Sequence, residues 1–451
     1  PAIRVRATLI SSRPRAASSA DQSTGLTRVP TDVPPRERYP VVLTRERVAD
    51  TDLPSPDGRR RVLLLDDADD DGIDNKISKC LQLAGGYEVH CLSGASDHVL
   101  RWSKYARVRH VPWDTPAGML AAVAAYVERR PVDLVLPIDE RMIVMAGEVA
   151  DQLERLAPLA PGPDPDLCRR VDDKWSFHEL MSDAGLPVPR TALATSDPDA
   201  LTRELVRWGS ALMLKPRLGA GGEGIRQFER PDDLLEALDG LPPSTREGFI
   251  VQEFIPGEDV SCNILAVDGE IVAHTVSRKA LADAREFKSA GLGIEFIRDE
   301  AASTMARRFA GSIGWTGVAN LNLRIDARTG QPTLIDADPR FEPTLLGSLA
   351  MGTNFPDIQC RLAFGQSPVP SESRVGFYLD VPPRLISPRD TVLLLRRDPG
   401  LLRYIDRRIV VADPRVDAYI VFRTLKLVIA KVVSLAVQPF RRVLGGRGRV
   451  A

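Results

Sequence analysis

Between residues 61 and 137 short apolar runs alternate with stretches of helical period. Val62–Leu65 reads as a strand, Ile73–Leu83 as a helix and Tyr87–Cys91 as a second strand. Met119–Glu128 follows as a helix and Val132–Pro137 as a third strand. This succession predicts a small parallel α/β domain. Pro158–Pro165 breaks the pattern as a linker would. The pattern then changes. Trp175–Ala184 predicts a helix closed by Gly185 and Pro187. Ala211–Lys215 and Ile225–Phe228 predict short strands around a glycine loop, Pro231–Leu238 a helix and Phe249–Phe254 a strand. Val260–Val267 and Ile271–Ser277 flank Asp268-Gly269, a hairpin-turn signal. After a helix over Ala301–Ile313, Val318–Ile325 and Thr333–Asp338 predict a second hairpin. The antiparallel content marks an α+β domain.

Composition refines this outline. With 451 residues and 43% hydrophobic content the chain can build two or three cores. The net charge of −1 gives no global pull toward nucleic acid. The charge is uneven: from Arg374 onward there are 16 Arg/Lys and 6 Asp/Glu. Five scattered cysteines without CxxC spacing point to neither a disulfide framework nor a zinc site. No signal-peptide core is visible and no uncharged run approaches the ~18 residues a membrane span requires, so the expected compartment is cytoplasmic. Residues 1–60, with eight prolines, read as a disordered tail. Residues 416–442 read as a basic amphipathic helix that would meet a membrane surface or dock on protein.

Two places carry candidate chemistry. Gly219-Ala-Gly-Gly-Glu-Gly224 satisfies GxGxxG, but a strand follows it rather than a helix. Such a loop tips a hairpin, suited to lie over phosphates with its N–H groups unobstructed. Lys215 enters this flap and Lys174 opens a predicted helix, in a chain with nine lysines against 51 arginines. An ammonium gives a compact point contact to phosphate. The second place is the hairpin Val318–Asp326 and Thr333–Arg340. Alternation puts Asn320, Asn322 and Arg324 on one face, and Asp336 and Asp338 on one face. A five-residue loop, 327–331, would oppose Asn322 to Asp336, Asn320 to Asp338 and Asp326 to Pro332. Converging acids and amides suit Mg²⁺ held between protein and triphosphate, and Arg340 could neutralise a transferring phosphoryl group.

In this order these parts resemble the ATP-grasp superfamily, of the carbamoyl-phosphate synthetase and D-alanine–D-alanine ligase type. The resemblance rests on Asp173-Lys174, Gly185-Leu-Pro-Val-Pro189, Leu214-Lys-Pro216, the glycine loop, Val251-Gln-Glu-Phe-Ile-Pro-Gly-Glu258 and Asp336-Ala-Asp-Pro-Arg340. It implies an α/β plus α+β architecture. A tail (1–60) would precede a Rossmann-like pre-ATP-grasp domain (61–160), a two-lobed ATP-grasp domain (161–370) and a basic C-terminal extension (371–451). It implies that Lys174 and Lys215 contact ATP phosphates and that Gly219, Gly221, Gly222 and Gly224 close over them. Gln252, Glu253, Phe254 and Ile255 would form the adenine hinge, and Glu258 would hold the ribose. Asn322, Asp336 and Asp338 would bind Mg²⁺, or Mn²⁺ in its place, and Arg340 would steady the γ-phosphate. The family more often has Glu-x-Asn-Pro-Arg where this chain has Asp-x-Asp-Pro-Arg.

The function so implied is an ADP-forming ligase. It would activate a small-molecule carboxylate as an acyl phosphate for attack by an amine, with no nucleic acid involved. A non-catalytic ATP-binding protein and a phosphotransferase without ligation are the alternatives. Asp67-Ala-Asp-Asp-Asp-Gly72 matches half of a calcium loop but lacks the closing Glu, and reads as a solvated loop. The five histidines show no ligand spacing and read as structural.

Overall fold

The computed structural model describes residues 8–9, 58–67, 72–96, 98–195, 197–209, 211–219, 221–282, 293–366, 373–379, 399–420 and 422. The expectations for most of the 1–60 tail, for 68–71 of the acidic run, for 283–292 and for the amphipathic helix beyond residue 422 lie outside the described residues. A two-residue strand, β1 (Thr8–Leu9), joins a sheet described below.

Strands β2 (Arg60–Asp66), β3 (Tyr87–Ser93), β4 (Ala106–His110) and β5 (Leu134–Pro137) form a parallel sheet in the order β4-β3-β2-β5. Val62, Leu63, Leu64 and Leu65 are all fully buried. An unbroken apolar run fits a strand covered on both faces. Val62 and Leu64 pack with Ile77 and Leu81 of α1 (Ile73–Ala84). Leu63 and Leu65 pack with Met119 and Val123 of α2 (Pro116–Arg129) and Met142 of α3 (Glu140–Glu148). The sequence predicts three strands here and the structure has four. The edge strand β4 reads Ala-Arg-Val-Arg-His, a polar pattern typical of guarded sheet edges.

A short helix, α4 (Ala150–Glu154), leads through the 158–164 connection to α5 (Pro165–Asp172) and α6 (Lys174–Asp183). A small antiparallel sheet follows, in the order β6-β9-β7-β8. Its elements are β6 (Thr191–Leu193), α7 (Pro198–Trp208), β7 (Leu212–Pro216), β8 (Arg226–Phe228), α8 (Pro231–Asp239), α9 (Pro243–Arg246) and β9 (Phe249–Glu253). Leu212 and Leu214 point into a core with Val251, Leu201, Leu205, Leu234 and Leu238. The alternate residues Met213 and Lys215 face the other way.

The largest sheet contains β10 (Gly257–Val267), β11 (Glu270–Ala282), β12 (Gly293–Ile297), β13 (Gly317–Asp326), β14 (Pro332–Asp338) and β15 (Gly376–Leu379). Their order is β14-β13-β10-β11-β12-β15, with β1 on β11. Asp268 and Gly269 take φ values of 48° and 85°, so the predicted turn forms with both central residues left-handed. Helix α10 (Glu300–Ile313) covers one face. There Val260, Cys262, Ile264, Ala319, Leu321, Leu323, Leu334 and Ala337 meet Phe309 and Trp315. Asn322 opposes Asp336 and Asn320 opposes Asp338, as the five-residue loop predicts. One correction applies at the loop end: Pro332 opposes Ile325 rather than Asp326. A bulge between Leu334 and Asp336 inserts Ile335 and shifts the remaining register by one.

Helices α11 (Leu345–Ala350) and α12 (Phe355–Ala363) follow. Phe341, Leu345 and Phe355 join the core around α1 and so weld the large sheet to the parallel one. The described part of the C-terminal extension docks there too. Lys79 Nζ lies 2.7 Å from Asp417 Oδ2, Gln82 Nε2 donates to the Ala412 carbonyl at 2.8 Å, and Trp102 stacks on Tyr419. Among the described residues no helix is long and apolar enough to cross a membrane.

Candidate active site

A cleft of about 420 Å³ separates the small sheet from the polar face of the large one. Alternation builds both walls. On β10 and β13, Asp259, Ser261, Asn320, Asn322 and Arg324 face the cleft, while Val260, Cys262, Leu321 and Leu323 pack into the core. Asp336 and Asp338 enter from β14, with Arg340 just beyond it. Lys215 on β7 and Lys174 at the first turn of α6 enter from the opposite side.

Lys215 is buried and its Nζ donates to Gln252 Oε1 at 2.7 Å. Burial holds the ammonium down to about 8, against the pull of Asp336. Lys174 Nζ donates to the Gly219 carbonyl at 2.8 Å, so it ties down the root of the glycine loop. Its place is fixed by Asp173, which caps α6 by accepting from the Ser176 N–H at 2.9 Å and pairs with Arg217. Gly219, Gly221 and Gly222 line the cleft. Gly224 does not; its φ is 73° and a Cβ there would stand 2.8 Å from the Pro216 ring, so it serves the turn into β8.

Asp336 Oδ1 is buried without a hydrogen-bond partner. Asp338 is pushed up to about 7 by burial and then by the Asp336 charge, and Asn322 Nδ2 donates to its Oδ2 at 3.3 Å. Two carboxylates and an amide oxygen, crowded and under-satisfied, have the hard-donor chemistry of an Mg²⁺ site. The residues present therefore fit that ion. Arg340 is buried and its Nε donates to Glu140 Oε1, from α3 of the first sheet.

The expected hinge divides. Phe254 and Ile255 line the cleft, whereas Gln252 supports Lys215, and Glu253 turns to Arg190 at 2.7 Å. The N–H groups of Glu253 and Phe254 already bond the Arg190 and Ala211 carbonyls. Ile255 lies past the end of the strand ladder. Glu258 is absent from the cleft lining and pairs with Arg278 at 3.0 Å; the neighbouring Asp259 faces inward and pairs with Arg324 at 3.1 Å. Sequence reading missed Asp259, Glu140 and Glu342, the last a buried acid that lines the cleft. Asp259 could have been found from strand parity once β10 was placed. Glu140 reaches Arg340 across 200 positions, with no local signal. None of the histidines lines the cleft.

Comparison with known proteins agrees with this geometry. Residues 171–344 match the family model of the ATP-grasp domain. Over 245 residues, 49% of the chain, it is 26% identical to the carbamoyl phosphate synthase large chain of Acidobacterium capsulatum, but spans only 21% of that protein. It is 31% identical over 217 residues to a probable alpha-L-glutamate ligase of Xylella fastidiosa, covering 46% of this chain and 68% of that one. The fold is similar to N5-carboxyaminoimidazole synthetase of Staphylococcus aureus complexed with ADP, with a TM-score of 0.56, 14% identity, and coverage of 75% of this chain and 86% of that one. On the family model and this identity to a ligase covered over two thirds of its length, the chain belongs to the ATP-grasp superfamily.

Proposed function

We propose that the protein is an ATP- and Mg²⁺-dependent, ADP-forming ligase that joins a small-molecule carboxylate to an amine. The observation that carries this reading is the convergence of Lys215 and Asp336 on one cleft, with a buried ammonium on one wall and an unsatisfied carboxylate oxygen on the other. That arrangement suits a polyphosphate with its counter-ion. Relatives named for carbamoyl phosphate synthesis and glutamate ligation support the reaction class.

Asn322, Asp336 and Asp338 would hold Mg²⁺, which when bound supplies positive charge to the triphosphate oxygens. Lys215 and Lys174 bind phosphate oxygens, Lys174 exchanging its bond to Gly219 for one to the ligand. The loop from Gly219 to Gly224 covers the phosphates and excludes water. Phe254 and Ile255 form the base pocket, with the Ile255 N–H as the backbone group past the strand ladder. Asp259, on the inward face, serves the ribose beside or instead of Glu258. Arg340, braced by Glu140, steadies the transferred group. The substrate carboxylate attacks the γ-phosphorus, ADP leaves, and an amine displaces phosphate from the acyl phosphate. The chain contributes position and charge rather than a nucleophile. Residues 61–160 form the Rossmann-like pre-ATP-grasp domain, a reading supported by its parallel sheet order.

The test is ADP release with Mg·ATP over a matrix of carboxylate and amine pairs. Release requiring both partners is the expected result; Lys215→Ala and Asp336→Ala should each lower it by about 10²–10³-fold. Release undiminished in both variants would overturn the assignment.

A further inference from the structure

Away from the cleft, a buried cluster of mixed donor chemistry lies at the carboxyl ends of the parallel strands. Asp66 ends β2, Cys91 lies on β3, and His98 follows β3 at the start of the turn 99–102. The register pairs Leu64 with Cys91 and Asp66 with Ser93, so alternation turns Asp66 and Cys91 to the same face of the sheet. Helix α1 covers that face and brings Asp74 in its first turn. All four side chains belong to residues more than nine-tenths buried.

A carboxylate oxygen of Asp66, Sγ of Cys91 and a ring nitrogen of His98 lie within 4.8 Å of one another. They converge on a single atom. Asp66 Oδ2 is hydrogen-bonded to His98 Nε2, and Cys91 Sγ stands 3.8 Å from the same nitrogen. One N–H can serve the carboxylate, which leaves the thiol only a long contact to the Leu92 carbonyl at 3.7 Å. An ion at the common point would serve all three donors. The far side of the ring is prepared as well, with Asp74 Oδ2 lying 3.5 Å from His98 Nδ1. A histidine that binds metal through one nitrogen commonly donates its other N–H to a carboxylate, which fixes the ring. Nδ1 accepts from the Leu100 N–H at 3.3 Å and would exchange that contact for Asp74.

Charge and space favour the same occupant. Burial, then the charges of Asp66, Asp74 and Asp139, hold the Cys91 thiol well above its ordinary range. A divalent cation would offset those carboxylates and stabilise the thiolate. Beside the cluster a cavity of about 10 Å³, the room of one water, is lined by Asp66, Asp74 and Asp139.

We propose that Asp66, Cys91 and His98 form a site for a divalent transition ion of the zinc type, with Asp74 orienting the imidazole and a water from the adjoining cavity as fourth ligand. A thiolate, an imidazole and a carboxylate select such an ion over Mg²⁺. On binding, Cys91 loses its proton to solvent and the Asp66–His98 contact opens to admit the ion. The donors come from separate stretches of the chain, so no CxxC spacing announces them. Glu140 and Arg340 line the same small cavity, so the ion would also anchor the structure beside the arginine of the cleft. The site is independent of the ligase reading.

The experiment strips the full chain with a chelator and titrates it with Co²⁺ alone, then with Zn²⁺. Co²⁺ should bind with a sulfur-to-cobalt charge-transfer band in the near ultraviolet, and Zn²⁺ should displace it. The cleft, whose candidate ligands are oxygens, cannot give that band, so Asp336→Ala should keep it. Cys80→Ser, at a buried thiol on α1, should keep it too, and Cys91→Ser should abolish it. Asp74→Asn should retain the band and weaken Zn²⁺ binding by about 10- to 100-fold, as loss of a carboxylate behind a ligating histidine does. No sulfur band in the wild-type chain, or a band that survives Cys91→Ser, would overturn the proposal. The wild-type titration decides by itself, even where a variant fails to fold.

Discussion

The two faces of the large sheet are made from the same strands and do opposite work. On β13, Ala319, Leu321 and Leu323 are buried against Phe309 and Trp315, while Asn320, Asn322 and Arg324 face the cleft. The apolar face packs into one continuous core. The polar face holds an orphaned carboxylate oxygen on Asp336 and a second acid, Asp338, displaced from its ordinary range. Stability and chemistry are thus interleaved at a spacing of one residue. Under-satisfied groups persist because the packed face behind them fixes the backbone that carries them.

Substitution in adjacent positions should break this pairing cleanly. Leu321→Ala removes a fully buried side chain and should cost about 2–5 kcal/mol in denaturant unfolding. Its neighbour Asn322→Ala should cost under about 1 kcal/mol, as expected away from the core. Equal losses at the two positions would refute the division of labour. Lys215 gives the next largest effect and carries a sign. Its folded-state value, about 8, lies below the ordinary lysine value of 10.5. Between these limits the unfolded chain binds the proton and the folded one does not, so stability rises with pH from about 8 toward 10.5. Below pH 8 the whole cost of burying the ammonium is present. Unfolding curves of the unliganded chain should therefore show this rise, and Lys215→Met should remove its share, leaving that of Lys279, which burial also holds below the ordinary lysine value. Nucleotide affinity should move the opposite way, since Lys215 meets phosphate only as a cation. In titrations of Mg·AMP-PNP it should fall as pH passes about 8 in the wild type and stay flatter in Lys215→Met. The smallest effect belongs to Gln252→Leu. It deprives Lys215 of its acceptor and should weaken nucleotide binding about ten-fold, the worth of one hydrogen bond to a charged group; unchanged affinity would show that Gln252 does not position the lysine.

In the hairpin β13–β14 the two polar pairs were legible, but the pairing at the loop end was not. The hairpin's period-2 alternation and five-residue loop sufficed to oppose Asn322 to Asp336 and Asn320 to Asp338. The bulge at Ile335 was not read, although the Leu334-Ile335 doublet interrupts the alternation: Leu334 and Ala337 enter the core, while Ile335, Asp336 and Asp338 line the cleft. Glu258 and Asp259 are a different case, because Asp259 shares the parity of Ser261 and was within reach of alternation along β10. The motif names Glu258 alone, but the phase of β10 against β13 puts Asp259 in the cleft and Glu258 on Arg278. The edge strand Ala106–His110 escaped for a related reason: its arginines guard a sheet edge and erase the apolar signal that would have announced a strand.

What the sequence determined by itself was everything set by nearest neighbours along the chain. Strand parity, the left-handed turn at Asp268-Gly269, the cap of Asp173 on α6 and the glycine flap after Lys215 are all of this kind. Tertiary structure alone decided which charges meet. Glu140 reaches Arg340 across 200 positions, Gln252 reaches Lys215 across 37, and His98 reaches Asp66 across 32. Periodicity fixes which way a side chain points relative to its own backbone, whereas the partner it meets depends on how separate elements pack, and packing follows from apolar surfaces that carry no record of the polar groups behind them.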